Sequence, residues 1–138
     1  PPASTSIVDL APPYHVVEAH TESLKFEFEL HEAASEGGVL WMQRLIDQNG
    51  FDPSAQDSGG ASAMHFAALR GRSDALSFLF ERGVDVNIQD SSGCTPLSWL
   101  IMARQVEFGV DVAAWPDEWQ QIYEKLVDRG AIARFVRM

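Results

Sequence analysis

The chain has 138 residues, 46% of them apolar, and a formal net charge of −10. That length suits one domain with a real core. The acidic balance argues against binding a nucleic acid backbone, which calls for clustered Lys and Arg. No apolar run approaches the ~20 residues that a membrane-spanning helix needs. The lone Cys94 has no internal disulfide partner, so a reducing, intracellular compartment is the expectation, cytoplasmic in the simplest case. The chain opens on Pro1-Pro2 and shows no secretory signal. A plastid or mitochondrion, after removal of a transit peptide, is the alternative. Charge is uneven: residues 1–57 sum to −8 and residues 58–138 to −2. A cationic or mixed-charge partner suits the acidic end.

Residues 1–23 read as irregular. Pro1, Pro2, Pro12 and Pro13 interrupt helix, while Ile7, Val8, Leu10, Val16 and Val17 are too apolar for a purely solvated tail. The segment is expected to lie extended along a surface. His15 and His20, with Glu18 and Glu22, are a conceivable metal set, but an i, i+5 spacing does not bring two imidazoles onto one helix face. No metal or other cofactor is expected. Residues 24–30 alternate apolar and charged. They read either as a half-buried strand or as an early start of the helix that follows at Leu30-His31-Glu32-Ala33-Ala34. Residues 1–29 are therefore set apart as an N-terminal arm, extended or a short strand.

Asp57 and Asp90 stand 33 residues apart and open the same pattern. Asp57-Ser58-Gly59-Gly60 leads into Ser62-Ala63-Met64-His65-Phe66-Ala67-Ala68. Asp90-Ser91-Ser92-Gly93 leads into Thr95-Pro96-Leu97-Ser98-Trp99-Leu100-Ile101. A fixed period of this length marks a stacked repeat. Gly60 and Gly93 suit a tight turn, Ser62 and Thr95 can cap the helices, and Pro96 fits a first helical turn. Gly71 closes the first helix of the pair, and Leu76, Leu79 and Phe80 give the second its buried stripe.

The turn, the Thr-Pro-Leu helix start and the exit Gly83-Val84-Asp85-Val86-Asn87 together resemble the ankyrin repeat. The resemblance covers roughly residues 30–131. It is specific for the second repeat, fair for the third and weaker for the first. It implies an all-α repeat fold: stacked helix-turn-helix units with short β-hairpin fingers, preceded here by the extended arm. The repeats fall at about 30–56, 57–89 and 90–131, within a domain of 30–138. The third carries an insertion of about 14 residues near 103–115, holding Phe108, Val110, Val112 and Trp115. Its second helix restarts near Pro116, with Asp117 and Glu118 favourable at the positive end of the helix dipole. The insertion is expected to pack its aromatic residues on a partner or on the C-terminal helix.

The resemblance gives His31 and His65 a structural part, bonding between repeats. It also places Asn87 where some relatives are hydroxylated. Neither Gly37-Gly38 nor Gly59-Gly60 is followed by the Lys of a phosphate loop, and no nucleophile–base pair emerges. The family's concave groove is lined by its fingers and first helices. Carried over, that pattern nominates Glu32, Phe66 and Trp99 at equivalent positions and Leu69, Arg70 and Met102 one turn along; the insertion, outside the pattern, adds Phe108 and Trp115 through its aromatic content. The implied function is non-catalytic protein binding. An accessory or scaffold subunit of a hetero-oligomeric assembly is preferred over a reversible adaptor or regulator, because the flanking segments are so apolar. Self-cover of Phe66 and Trp99 by the arm or the insertion is the competing reading of those rings.

Overall fold

A computed structural model describes residues 27–135. Residues 1–26 of the predicted arm, with the apolar patches before Leu24 and the His15/His20 set, lie outside the described residues. Six helices run in pairs: α1 Glu29–Glu36 with α2 Val39–Asp47, α3 Ala63–Arg70 with α4 Ser73–Glu81, and α5 Pro96–Phe108 with α6 Asp117–Asp128. A short 3₁₀ turn, Val112–Ala114, sits between α5 and α6. The first helices α1, α3 and α5 stack side by side as an inner layer, and α2, α4 and α6 form the outer one. Among the described residues the fingers are tight turns closed by main-chain bonds; a single bridge, Gln56 to Ser62, is their strand-like pairing. Of the 24–30 alternation, Phe28 is extended and Glu29 is already helical.

Alanine sets the inner spacing. Ala33, Ala34, Ala67 and Ala68 are fully buried, so neighbouring backbones approach closely. Leu30, Met64, Leu76, Leu79, Leu100 and Leu126 fill the space between the layers. A fully buried Leu is worth roughly 1.5–3 kcal/mol over an exposed one, so no helix pair is stable without its neighbours. In the third repeat Leu100 and Ile101 replace the alanine pair; Leu100 is buried and Ile101 only half so.

Each opening turn is braced by one carboxylate. Asp57 Oδ1 accepts from the amides of Gly59 and Ala61 at 3.0 and 2.9 Å. Asp90 Oδ1 accepts from Ser92 and Cys94, both at 2.9 Å. Successive turns also touch. The Ser91 amide and hydroxyl both donate to the Gly59 carbonyl, at 3.0 and 2.8 Å. Gly60 adopts φ +82°, and a Cβ there would stand 2.3 Å from Ser91 N, so the glycine serves both the turn and the close approach. The first turn has no finger before it among the described residues. Glu27 stands in: its carboxylate accepts from the Ser58 hydroxyl and, at 2.8 Å, from the Ser58 amide. These bonds hold the Glu27 carboxyl below the usual range.

Candidate protein-binding face

Both predicted caps form full capping boxes. Ser62 accepts from the His65 amide, and the Ser62 amide donates back to His65 Nδ1 at 3.1 Å. Thr95 and Ser98 repeat the exchange one unit on, with Pro96 in the first turn. Because His65 Nδ1 accepts, the ring proton is on Nε2, which donates across the seam to the Cys94 carbonyl at 2.9 Å. His31 Nε2 makes the same bond to the Ala61 carbonyl at 2.8 Å. Phe28 stands where Ser62 stands, so His31 Nδ1 has no capping partner and is buried without a hydrogen bond.

Burial is the main cause that pushes both histidines below 6.5, against the opposing pull of the bonded carbonyls and nearby carboxylates. Both are neutral near pH 7 and act as rivets between repeats. The third repeat has Ser98 at the histidine position. Its hydroxyl donates to the Arg134 carbonyl and accepts from the Arg134 amide at 2.6 Å, while Thr95 donates to the Ile132 carbonyl at 2.6 Å. Asn87 adds a second clip: its amide group donates to Gly130 O at 3.0 Å and accepts from Ile132 N at 2.7 Å. The side chain that resemblance nominates for hydroxylation is thus engaged in holding the C-terminal segment.

Above the rivets the rings form a row. Phe28 stacks on His31 (5.1 Å between centroids), His31 meets Phe66 edge-on (5.6 Å), and Phe66 meets Trp99 edge-on (5.3 Å). The Trp99 indole N–H donates to Asp90 Oδ2 at 2.9 Å, which ties the row to the finger. Phe66 and Trp99 are half-buried, as are Glu32 and Leu69; Arg70 and Met102 are exposed, Met102 by 41%. These six residues lie on the three inner helices, and the ring contacts join Phe66 and Trp99 along them.

The insertion behaves differently. Part of it simply lengthens α5, which runs 13 residues where α3 runs 8. Phe108 is half-buried against the core. Trp115 is 2% exposed, donates from its indole to the Gly109 carbonyl at 3.0 Å, and meets Tyr123 of α6 edge-on. This corrects the nomination of Trp115 as a partner contact. A loop ring reads the same in sequence whether it covers a partner or its own helix, and here it fills the space between α5 and α6. Val106 and Val110, on the lengthened helix and its loop, are exposed; Val106 has no counterpart in the repeat pattern that would mark it in sequence.

Comparison with known proteins agrees with this geometry. Residues 45–98 match the family described as ankyrin repeats (many copies). The chain contains ankyrin repeats. Such repeats are protein–protein interaction modules. An ankyrin repeat-containing protein of Schizosaccharomyces pombe is 43% identical over 65 residues, 47% of this chain and 31% of that protein. Calmodulin-binding transcription activator 3 of Arabidopsis thaliana is 37% identical over 51% of this chain and 7% of its own length. The ankyrin-repeat chain thus spans less than a third of the curated relatives it matches. In structure it is similar to the human ASB11 ankyrin repeat domain, with TM-score 0.60, 27% identity, and 78% of this chain and 42% of that one covered. A chain from the complex of the Bdellovibrio bacteriovorus endopeptidase Bd0816 with immunity protein Bd3460 aligns with TM-score 0.59 and 26% identity, covering 75% and 46%. Among the described residues no helix is long and apolar enough to cross a membrane, and no cluster of His, Cys, Asp or Glu has metal-binding geometry.

Proposed function

We propose that this chain is a non-catalytic binding module that holds a partner protein on the inner-helix flank, through Glu32, Phe66, Leu69, Arg70, Trp99 and Met102, with Phe108 supporting the edge. The carrying observation is the ring row from Phe28 to Trp99, fixed at one end by Asp90 and bordered by exposed Arg70 and Met102. Rigid aromatic surface beside Arg is the composition of binding hot spots. His31 and His65 already serve seams, and Asp57 and Asp90 brace turns, which supports a binding role over acid–base work. Among the two binding roles, an accessory or scaffold subunit is favoured by the apolar side chains left exposed at the C-terminal end, Val127, Ile132 and Phe135. A reducing compartment fits a cysteine placed in a buried turn.

Native capture with mass spectrometry, run in parallel on wild type and Met102→Asp, tests the flank. A polypeptide retained by the first and lost from the second supports it; equal recovery sinks it. An accessory subunit should associate or aggregate when purified alone, whereas an adaptor stays monomeric.

A further inference from the structure

The insertion lets α6 begin early, and this brings Trp119 back over the turn between α3 and α4. A Cβ at Gly71 would lie 2.7 Å from Cη2 and Cζ3 of that indole, so only glycine, at φ +70°, fits beneath it. Lys125 fastens the helix further along, donating to Ser73 Oγ and Ser77 Oγ at 2.8 and 2.6 Å. Between the turn and the helix lies a depression of about 350 Å³, lined by Arg70, Gly71, Arg72, Glu118, Trp119 and Ile122.

Its charge is the reverse of the chain's. Arg70 is exposed, and its guanidinium makes no hydrogen bond or ion pair among the described residues. Arg72 uses Nε on the Ser35 carbonyl at 2.8 Å, which fixes its position. Arg104 stands 4.1 Å from the centroid of the Trp119 ring; it pairs with Glu107, and its Nε is buried without a partner. One guanidinium thus lies over the indole and two further arginines line the depression beside it, in a protein of net charge −10. The opposing carboxylates are Glu118 at the rim, and Glu36 and Asp74 in a neighbouring depression that shares Arg72. None of the three forms an ion pair with Arg70 or Arg72 among the described residues.

We infer that this depression is a second docking site, which takes an acidic segment of a partner protein: a carboxylate on Arg70, with Arg72 lining the same depression, and an apolar neighbour on Trp119 and Ile122. Guanidinium forks suit planar carboxylates, and the apolar floor needs a side chain beside the charge. The long-range repulsion of an acidic protein disfavours an extended polyanion such as nucleic acid, and favours one or two carboxylates placed locally. The site adjoins the inner flank at Arg70 but does not depend on the ring row.

The test is nitrogen-15 NMR of the full chain, titrated with the blocked peptide Glu-Glu-Leu-Glu-Glu and with its Gln-Gln-Leu-Gln-Gln twin. Saturable shifts of the Trp119 Nε1 and the Arg70 and Arg72 Nε signals are expected with the first peptide alone. Arg70→Gln should weaken binding about fivefold, the size of an exposed charged contact. Glu118→Gln should tighten it by about twofold, since it removes the opposing rim charge. Met102→Asp should leave these shifts unmoved, so its failure belongs to the inner-flank reading and not to this one. The inference is overturned if no saturable shift appears, if both peptides act alike, or if neither charge variant changes the affinity. It is also overturned if inorganic phosphate alone reproduces the shifts at the peptide's concentration.

Discussion

The second and third repeats open with the same turn and the same capping box, and diverge after it. Finger two is pressed between neighbours: Glu27 reaches Ser58 on one side and Ser91 lies against Gly60 on the other. Among the described residues finger three has a neighbouring finger on one side only, and the nearest atom to a Cβ at Gly93 is 3.9 Å away. Histidine rivets the seam after the second repeat, whereas two hydroxyls and the short segment Ile132–Arg134 close the third. A stacked unit is therefore defined less by its own residues than by what stands next to it. The interior repeat keeps the repeat chemistry, and the terminal one is free to lengthen α5, take in Trp115 and swing Trp119 over its neighbour.

The largest break in that comparison is Trp115→Ala. If the insertion is part of the third repeat's core, the loss should be about 3–5 kcal/mol, as for a buried aromatic ring, and α6 should detach while α1–α4 stay folded. Chemical denaturation with amide exchange reads both; a loss below about 1 kcal/mol would make the ring an ornament of the loop.

Next in size is the glycine pair. Gly60→Ala meets both the left-handed backbone and the Ser91 main chain, and should cost about 3 kcal/mol. Gly93→Ala meets only the backbone preference and should cost about 1 kcal/mol. Equal losses in thermal melts would show that the fingers do not bear on each other.

The histidine seams give a similar contrast. His65→Ala strands the Cys94 carbonyl and the Ser62 cap, and should cost about 3 kcal/mol. His31 has one bonded ring nitrogen fewer, so His31→Ala should cost about 2 kcal/mol. Both rings have folded values held below the ordinary 6.5, so their contribution is fully present above that value. It is lost as pH falls through the folded values, because the unfolded chain takes up the protons first. Stability of the wild type should therefore decline as pH drops below 6.5, and the His31→Gln, His65→Gln double variant should decline less over the same window.

Much of the interior was legible because turns and caps demand particular residues at fixed offsets. Asp57 and Asp90, Ser62 and Thr95, Gly71 and Pro96 each do locally what their type requires. The rest depends on where the chain returns. Nothing local distinguishes Glu27 from other surface acids, yet it clasps a serine 31 residues away. Trp115 and Trp119 look alike in sequence, but one is core and the other floors a pocket, and the path of the insertion decides which. Phe66 and Trp99 were readable as equivalent ring positions; that they brace each other edge-on, and so serve stability as well as any partner, needed the geometry.

The account's central claim is that the inner flank is a partner-binding surface. The most direct measurement is quantitative native capture by three proteins of equal melting temperature: wild type, Met102→Asp on the inner flank, and Leu40→Asp on the outer layer, where Leu40 is 73% exposed. The account predicts a partner recovered by wild type and by Leu40→Asp, and reduced at least about tenfold with Met102→Asp, the effect of losing roughly 1.4 kcal/mol at an interface. A partner lost with Leu40→Asp and kept with Met102→Asp would place binding on the outer layer and contradict it.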